Sequence, residues 1–221
     1  MKKGFTLAEV LITMSIIAVV ALLTLPSVIK NYRYKVYATT LKQTISQLED
    51  AIKSSMADEH ANNFVQSTGG LANSCTAGAE TGPCYLFNKY LKTSFMCTNS
   101  SDKRCVAPNG YKSMAGDATR NWWGADRCGK LANGATVCMV YNDYGMNSIT
   151  YVGIDVNGPG QPNIMGIDLF TGIIDNAGNI VDLSNVAVCG VESGTDNHIN
   201  DYTRGCLKRV IQNNWTIIEN N

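Results

Sequence analysis

The sequence is poor in charged residues and has no excess of either sign. Only 16% of its 221 residues are Asp, Glu, Lys or Arg, and 18 basic residues balance 18 acidic ones. A protein that binds nucleic acid through its phosphates needs a basic surface, so we expect no nucleic-acid partner. Hydrophobic residues still make up 45% of the chain, which excludes general disorder.

Motifs of metal and catalytic chemistry are also missing. The two histidines, His60 and His198, belong to no paired metal-ligand motif. None of the eight cysteines forms a C-x-x-C pair, which disfavours a zinc ribbon or a thioredoxin-like site. Neither a G-x-S-x-G elbow nor a P-loop occurs. We therefore predict that the protein is not an enzyme, and keep a membrane-anchored exported enzyme as an alternative.

Long apolar runs are absent except at the start, where residues 5–25 read FTLAEVLITMSIIAVVALLTL. As a helix this run would span ~31 Å, about the thickness of the hydrocarbon core of a bilayer. It is longer than the core of a cleaved secretory signal, and the small residue Gly4 precedes it instead of following it. The run predicts a single membrane anchor, and a plain signal anchor is the simplest form of it.

Glu9 is the one charged residue of this apolar run. A carboxylate inside a bilayer costs at least a few kcal/mol, so such a residue is a candidate functional site. Cleavage after Gly4 would create an α-amino group on Phe5, four residues before Glu9 and on the same helical face. That amine could pair with Glu9 of the same chain or with Glu9 of a neighbouring copy.

The segment KGFTLAEVLITMSIIAVVALL resembles the leader and anchor of type IV pilins and type II secretion pseudopilins. The resemblance covers residues 1–30 closely. It implies that a prepilin peptidase removes the leader, residues 1–4, and that Phe5 then becomes N-methylated. It also implies that Glu9 guides docking into a filament, and that Pro26 stands where many members of the family carry a helix-weakening proline.

What the resemblance implies for function is a structural role. The expected protein is a subunit of a pilus or pseudopilus, held in the inner membrane by one span with its C-terminal head exported. Its expected partners are other copies of itself, the prepilin peptidase and an assembly machinery. The alternative is a minor pilin that acts as an adhesive or DNA-uptake module at the filament tip.

Apolar residues recur every three to five positions beyond Pro26, at Val36, Leu41, Ile45, Leu48, Ile52 and Met56. This spacing is typical of an amphipathic helix. We predict one long helix over residues 5–57, with residues 5–25 in the membrane and residues 26–57 amphipathic. Because proline often ends a helix, two helices joined by a turn at residues 25–27 are the alternative.

The exported head, residues 58–221, is predicted to be α+β, with a small antiparallel sheet packed on the long helix. Residues 59–84 and 99–121 are rich in turn-forming residues and are expected to be loops. A short helix is predicted over residues 85–95 and another over residues 206–211. Turn signals separate strand-like runs, which predicts a meander of about four strands from residues 130–131, 135–141, 148–156, 167–174 and 179–183.

All eight cysteines lie after the anchor, and their even number favours an exported, oxidising location. Eight cysteines allow 105 pairings, and the sequence alone does not choose among them. Proximity along the chain suggests Cys75–Cys84, Cys97–Cys105, Cys128–Cys138 and Cys189–Cys206. Reduced, buried thiols are the alternative.

One Gly/Pro-rich stretch, residues 155–168, gathers side-chain oxygens from Asp155, Asn157 and Asp168. Calcium requires six to eight hard oxygen ligands, although this spacing is not that of an EF-hand. The resemblance implies that calcium could bind here, since some pseudopilins bind it in C-terminal loops. Asx turns between two strands are the alternative, and no other cofactor is expected.

Overall fold

The computed structural model describes residues 4, 6–97, 102–116, 119–120, 125–142, 148–184, 189 and 203–219. The helices are α1 (Leu7–Asp58), α2 (Gly82–Lys89) and α3 (Cys206–Gln212). The strands are β1 (Thr93–Met96), β2 (Tyr111–Lys112), β3 (Thr119–Arg120), β4 (Arg127–Leu131), β5 (Thr136–Asn142), β6 (Ile149–Asp155), β7 (Leu169–Ile174) and β8 (Ile180–Val181). The fold is α+β, as the sequence predicts.

Contacts divide the chain into two units, residues 1–36 and residues 37–221. In the first unit, α1 continues through Pro26 without a break, so the alternative of two helices is wrong. Its apolar side chains are exposed: Leu7, Leu22 and Leu23 each retain more than 70% of their accessible surface. Within the described residues, α1 is the helix long and apolar enough to cross a membrane.

In the second unit, α1 buries one face in the core of the head. The predicted stripe is largely confirmed, because Leu41, Ile45, Leu48 and Ile52 are buried. Val36 does not join them, since it belongs to the first unit and is 41% exposed. The helical period also brings small and polar residues into this face, and the remaining buried positions are Tyr37, Ala38, Thr44, Ala51 and Ser55.

The head is built on an antiparallel sheet of six strands in the order β1-β4-β5-β6-β7-β8. Strands β4 to β8 form a meander in sequence order, and β1 is added at the β4 edge. Successive strands joined by short turns pair antiparallel because a short connection can only reverse the chain. The central strand β5 is buried on both faces from Thr136 to Val140.

Two tight turns position the sheet against α1. Asn133, in the β4–β5 turn, donates from Nδ2 to Thr44 Oγ1 at 2.9 Å. Gly178, in the β7–β8 turn, has a φ of +79°, and a Cβ added there would lie 2.9 Å from Ile52 Cγ2. The backbone N–H of Ile180 donates to Glu49 Oε1 at 3.0 Å, which satisfies a donor at the start of β8. The sheet is thus fixed to α1 by close packing and by polar contacts.

Four disulfides join cysteines that are close in sequence, and the described residues contain no free cysteine. The pairs are Cys75–Cys84, Cys97–Cys105, Cys128–Cys138 and Cys189–Cys206. These are the pairs that sequence proximity suggests. Cys128 and Cys138 are directly opposite in the β4–β5 register, so their disulfide links two neighbouring strands.

The structure corrects three local predictions. The helix expected over residues 85–95 begins earlier, at Gly82, where Pro83 occupies its first turn, and it ends at Lys89. Residues 93–96 form β1 instead, because they pair with β4. The sheet has six strands instead of about four, and the expected loop over residues 99–121 contains the small β2–β3 ladder.

Candidate functional site

The start of α1 is closed by reciprocal hydrogen bonds between Thr6 and Glu9. The backbone N–H and the hydroxyl of Thr6 both donate to Glu9 Oε2, each at 2.8 Å. The backbone N–H of Glu9 donates in turn to Thr6 Oγ1 at 3.2 Å. Since α1 begins at Leu7, Thr6 is the N-cap and Glu9 the third helical residue, which is the arrangement of a capping box.

This capping box gives Glu9 a local structural role. Its carboxylate satisfies an N–H group that the first helical turn cannot pair, and its charge lies at the positive end of the helix dipole. The sequence pattern T-L-A-E before an apolar run carries this signal, which sequence reasoning about the bilayer missed. Both Thr6 and Glu9 are exposed, so the carboxylate remains accessible to a partner.

Two carboxylates of the 155–168 stretch are buried close together in the head. Asp155 is 1% exposed and Asp168 is fully buried. Asp168 accepts backbone N–H groups at both oxygens, from Asn163 to Oδ2 and from Ile164 to Oδ1, each at 2.6 Å. These two bonds hold the chain turned back on itself between residues 163 and 168.

Asp155 has a different donor set, in which a hydroxyl takes part. Tyr111, also fully buried, donates from its hydroxyl to Asp155 Oδ2 at 2.6 Å. The backbone N–H of Ala107 donates to the same Tyr111 oxygen at 3.2 Å, and the N–H of Asn157 donates to Asp155 Oδ1 at 3.2 Å. A hydroxyl can rotate and accept, whereas a backbone N–H can only donate.

Burial raises the pKa of both carboxyl groups. For Asp155 desolvation is the largest cause, and the negative charge of Asp168 adds to it, so the pKa lies well above its ordinary value. Desolvation also raises the pKa of Asp168, to about 6, against the opposing effect of its backbone donors. A protonated Asp155 could donate a hydrogen bond to the Tyr111 hydroxyl, whereas a proton on Asp168 would point at a backbone N–H, which cannot accept it. Of the two carboxyl groups, Asp155 is therefore the one that better accommodates a proton.

The same stretch holds amide oxygens without partners. Among the described residues, the buried Oδ1 atoms of Asn157 and Asn163 accept no hydrogen bond. Together with the carboxylates of Asp155 and Asp168 they are oxygens of the kind calcium prefers. In the part of the chain that the structure describes, no three His, Cys, Asp or Glu side chains lie together so that they could hold a metal ion. Further calcium ligands would therefore have to be amide, backbone or water oxygens.

Comparison with known proteins bears on the N-terminal segment. Residues 1–25 match the family model of the prokaryotic N-terminal methylation motif. The chain carries a prepilin-type segment. This motif is the signature of type IV pilins and pseudopilins, so the resemblance found in the sequence is confirmed. No curated protein and no solved structure matches the chain.

The prepilin-type segment and its apolar helix fit a membrane anchor. Of the residues predicted to act there, Glu9 lies in the first turn of α1 and Pro26 inside it, while Gly4 is exposed before the helix. Phe5, the predicted new N-terminus, lies outside the described residues. Its pairing with Glu9 therefore stays a prediction.

Proposed function

We propose that the chain is a structural subunit, not an enzyme, of a type IV pilus or a type II secretion pseudopilus. In this proposal the subunit is first anchored in the inner membrane with its head exported. It then assembles with other copies into a helical filament. The observation that carries the proposal is the match of residues 1–25 to the methylation motif. The exposed apolar surface of α1 supports it, since that surface requires either lipid or other helices as a cover.

The proposed processing follows from the same segment. A prepilin peptidase cleaves after Gly4, and Phe5 becomes a methylated N-terminus. The capping box does not prevent this, because the Thr6 N–H remains a backbone amide after cleavage and can still donate to Glu9. In the apolar bundle of a filament, the Phe5 ammonium of an incoming subunit needs a carboxylate partner, and Glu9 provides it.

The structure suggests how to separate the docking role of Glu9 from its capping role. Glu9→Gln removes the charge but keeps a side chain that can complete a capping box. Thr6→Ala removes the capping hydroxyl but keeps the charge of Glu9. We expect Glu9→Gln to lower the yield of sheared filaments about tenfold or more, because an unpaired buried charge costs several kcal/mol. Thr6→Ala should stay within about twofold of the native yield, since a lost cap costs only ~1 kcal/mol.

Membrane fractions and intact masses provide the controls for this experiment. Both variants should remain in the membrane fraction and show the mass of a chain that begins at methylated Phe5. Native filament yield with Glu9→Gln would mean that Glu9 serves only as a helix cap. Equal losses in both variants would assign the defect to the helix start, and a mature chain still beginning at Met1 would contradict the proposed processing.

A minor pilin with an adhesive or DNA-uptake role is the second candidate within the same family. The zero net charge of the chain argues against the DNA version. The two roles differ in stoichiometry, since a structural subunit dominates the mass of sheared filaments and a tip module is rare in them.

We also propose that the 155–168 stretch binds calcium, a proposal supported by the unpartnered Asn157 and Asn163 oxygens beside two buried carboxylates. Calcium would neutralise the carboxylate pair and replace the proton that Asp155 otherwise carries. The full-length protein in detergent should then melt at a lower temperature after chelation with EGTA, and added calcium should restore it. An unchanged melting temperature would leave the hydrogen-bonded turns as the sole role of these residues.

A further inference from the structure

Directly after the apolar run, α1 carries a short segment of basic and aromatic residues. We call Lys30, Tyr32, Arg33, Tyr34 and Lys35 the collar. The three cations of the collar are exposed, and Tyr32 is 68% exposed. The Lys30 ammonium lies 5.7 Å from the centre of the Tyr34 ring, so cation and phenol lie at the same level of the helix.

The collar carries positive charge only. Between Glu9 and Glu49 the sequence contains no Asp or Glu, so no acidic residue of this stretch of α1 offsets the collar. Basic residues normally accumulate on the cytoplasmic side of a membrane span. If the head is exported, these exposed cations lie on the opposite side, where their positive charge attracts the anionic groups of that surface.

The collar begins at the level of the headgroup layer of a bilayer. At a rise of 1.5 Å per residue, Lys30 lies ~7 Å and Lys35 ~15 Å beyond Leu25, the last residue of the apolar run. The headgroup layer extends ~5–7 Å beyond the hydrocarbon on each side, and lysine and arginine side chains reach back toward it. Tyrosine is also a typical residue of this interface.

The arrangement of the collar around the helix favours lipid over protein as its partner. At ~100° per residue, Lys30 and Arg33 lie ~60° apart, whereas Lys35 lies ~140–160° from both, so the cations occupy two opposite sides of the helix. A protein groove contacts one face of a helix, whereas a lipid leaflet surrounds all of them.

We propose that the collar binds the phosphate-bearing headgroups of anionic phospholipids in the exported leaflet. This inference rests on the proposed function, because it requires that residues 5–25 span the membrane with the head exported. The bound headgroups would hold the waiting subunit at a fixed depth. They must be released when the subunit leaves the membrane, so lipid composition would influence the ease of assembly.

Electron paramagnetic resonance of spin-labelled lipids tests the collar. The full-length protein is reconstituted in phosphatidylcholine bilayers that contain a trace of spin-labelled phosphatidylglycerol or phosphatidylcholine. Lipids in contact with the protein give a motionally restricted signal. We expect phosphatidylglycerol to be enriched about fivefold over phosphatidylcholine at low salt, with the preference falling as salt screens the charges.

Two triple variants of equal net charge isolate the collar. Lys30→Gln with Arg33→Gln and Lys35→Gln should remove at least half of the preference for phosphatidylglycerol. The control, Lys92→Gln with Lys103→Gln and Lys112→Gln, changes three exposed cations of the head unit and should leave the preference unchanged.

Three results would overturn the collar proposal. They are equal restriction of the two lipids by the native chain, an undiminished preference in the collar variant, and an equal loss in the control. Each of these leaves the membrane anchor and the filament role intact. The absence of any restricted lipid would instead overturn both the collar and the membrane placement on which it rests.

Discussion

Tyr111, Asp155 and Asp168 illustrate how the donors around a buried carboxyl group decide its charge. Asp168 accepts N–H groups of the backbone and of the Asn157 side chain, and these donors favour the ionised form. Asp155 faces a hydroxyl that tolerates a protonated partner. The donors therefore favour a charge on Asp168 and a proton on Asp155.

This proton predicts a pH dependence of stability. Because burial raises the pKa of Asp168 to about 6 and raises that of Asp155 well above its ordinary value, the folded head binds protons that the unfolded chain releases. The contribution of Asp168 is fully present below the unfolded value of ~3.9 and is lost as the pH rises through about 6. In EGTA, the free energy of unfolding of the full-length protein, measured with urea, should include a component that falls between about pH 4 and pH 6.

Asp155→Asn tests the assignment of the proton to Asp155. The Asn amide can donate to Tyr111 as a protonated carboxyl would, and the unfolded chain no longer gains by ionising at this position. We expect the variant to be more stable than the native protein at pH 7 in EGTA, with a shallower pH dependence. The exposed Asp50→Asn is the matched control. A destabilised Asp155→Asn with unchanged pH dependence would mean that Asp155 is ionised in the folded head.

At the scale of elements, short-range sequence patterns predicted most of the elements that form between residues close together in the chain. The apolar period of α1 and the turn residues around Gly134 and Gly178 were sufficient to place the long helix and the two hairpins. Strand β1 was missed because residues 93–96 become a strand only when β4 provides a partner. The capping box of Thr6 and Glu9 could have been found, whereas the contact between Tyr111 and Asp155 joins residues 44 positions apart and has no local signal.

The two hairpin turns allow the packing of the sheet on α1 to be measured. Gly178 and Gly134 both have positive φ, at +79° and +90°. An added Cβ meets Ile52 and Met56 at Gly178 but meets nothing within 4 Å at Gly134. Gly134→Ala should cost ~1–2 kcal/mol from backbone strain. Gly178→Ala should cost ~1–3 kcal/mol more, because the new methyl group overpacks the contact with α1.

Urea unfolding of the two full-length variants measures the cost of the backbone strain and the cost of the overpacked contact. The difference between the variants, rather than either value alone, reports the close approach of the β7–β8 turn to α1. Equal costs at the two glycines would show that the turn has room for a methyl group and that its distance from Ile52 is not limiting.

For the whole molecule, the four disulfides predict an oxidising compartment. The described residues contain no free cysteine, and the four pairs account for all eight cysteines of the sequence. We expect protein isolated from the cell envelope to take up no thiol label under denaturing conditions. The same sample should take up label fully after reduction, which serves as the control. Label taken up before reduction would argue for a reducing compartment and against an exported head.

The disulfides also determine how the molecule would respond to tension. They bridge residues 9, 8, 10 and 17 positions apart, and none of them attaches α1 to the rest of the head. If a filament subunit were pulled along its length, its head could therefore extend only in the segments that lie outside the disulfide-closed loops. At ~3.4 Å per residue, the closed loops would withhold roughly 130 Å of contour length from an oxidised chain. Disulfide formation would thus shorten the extended length of an unfolded head. It would not strengthen the attachment of α1 to the head, which depends on packing and hydrogen bonds alone.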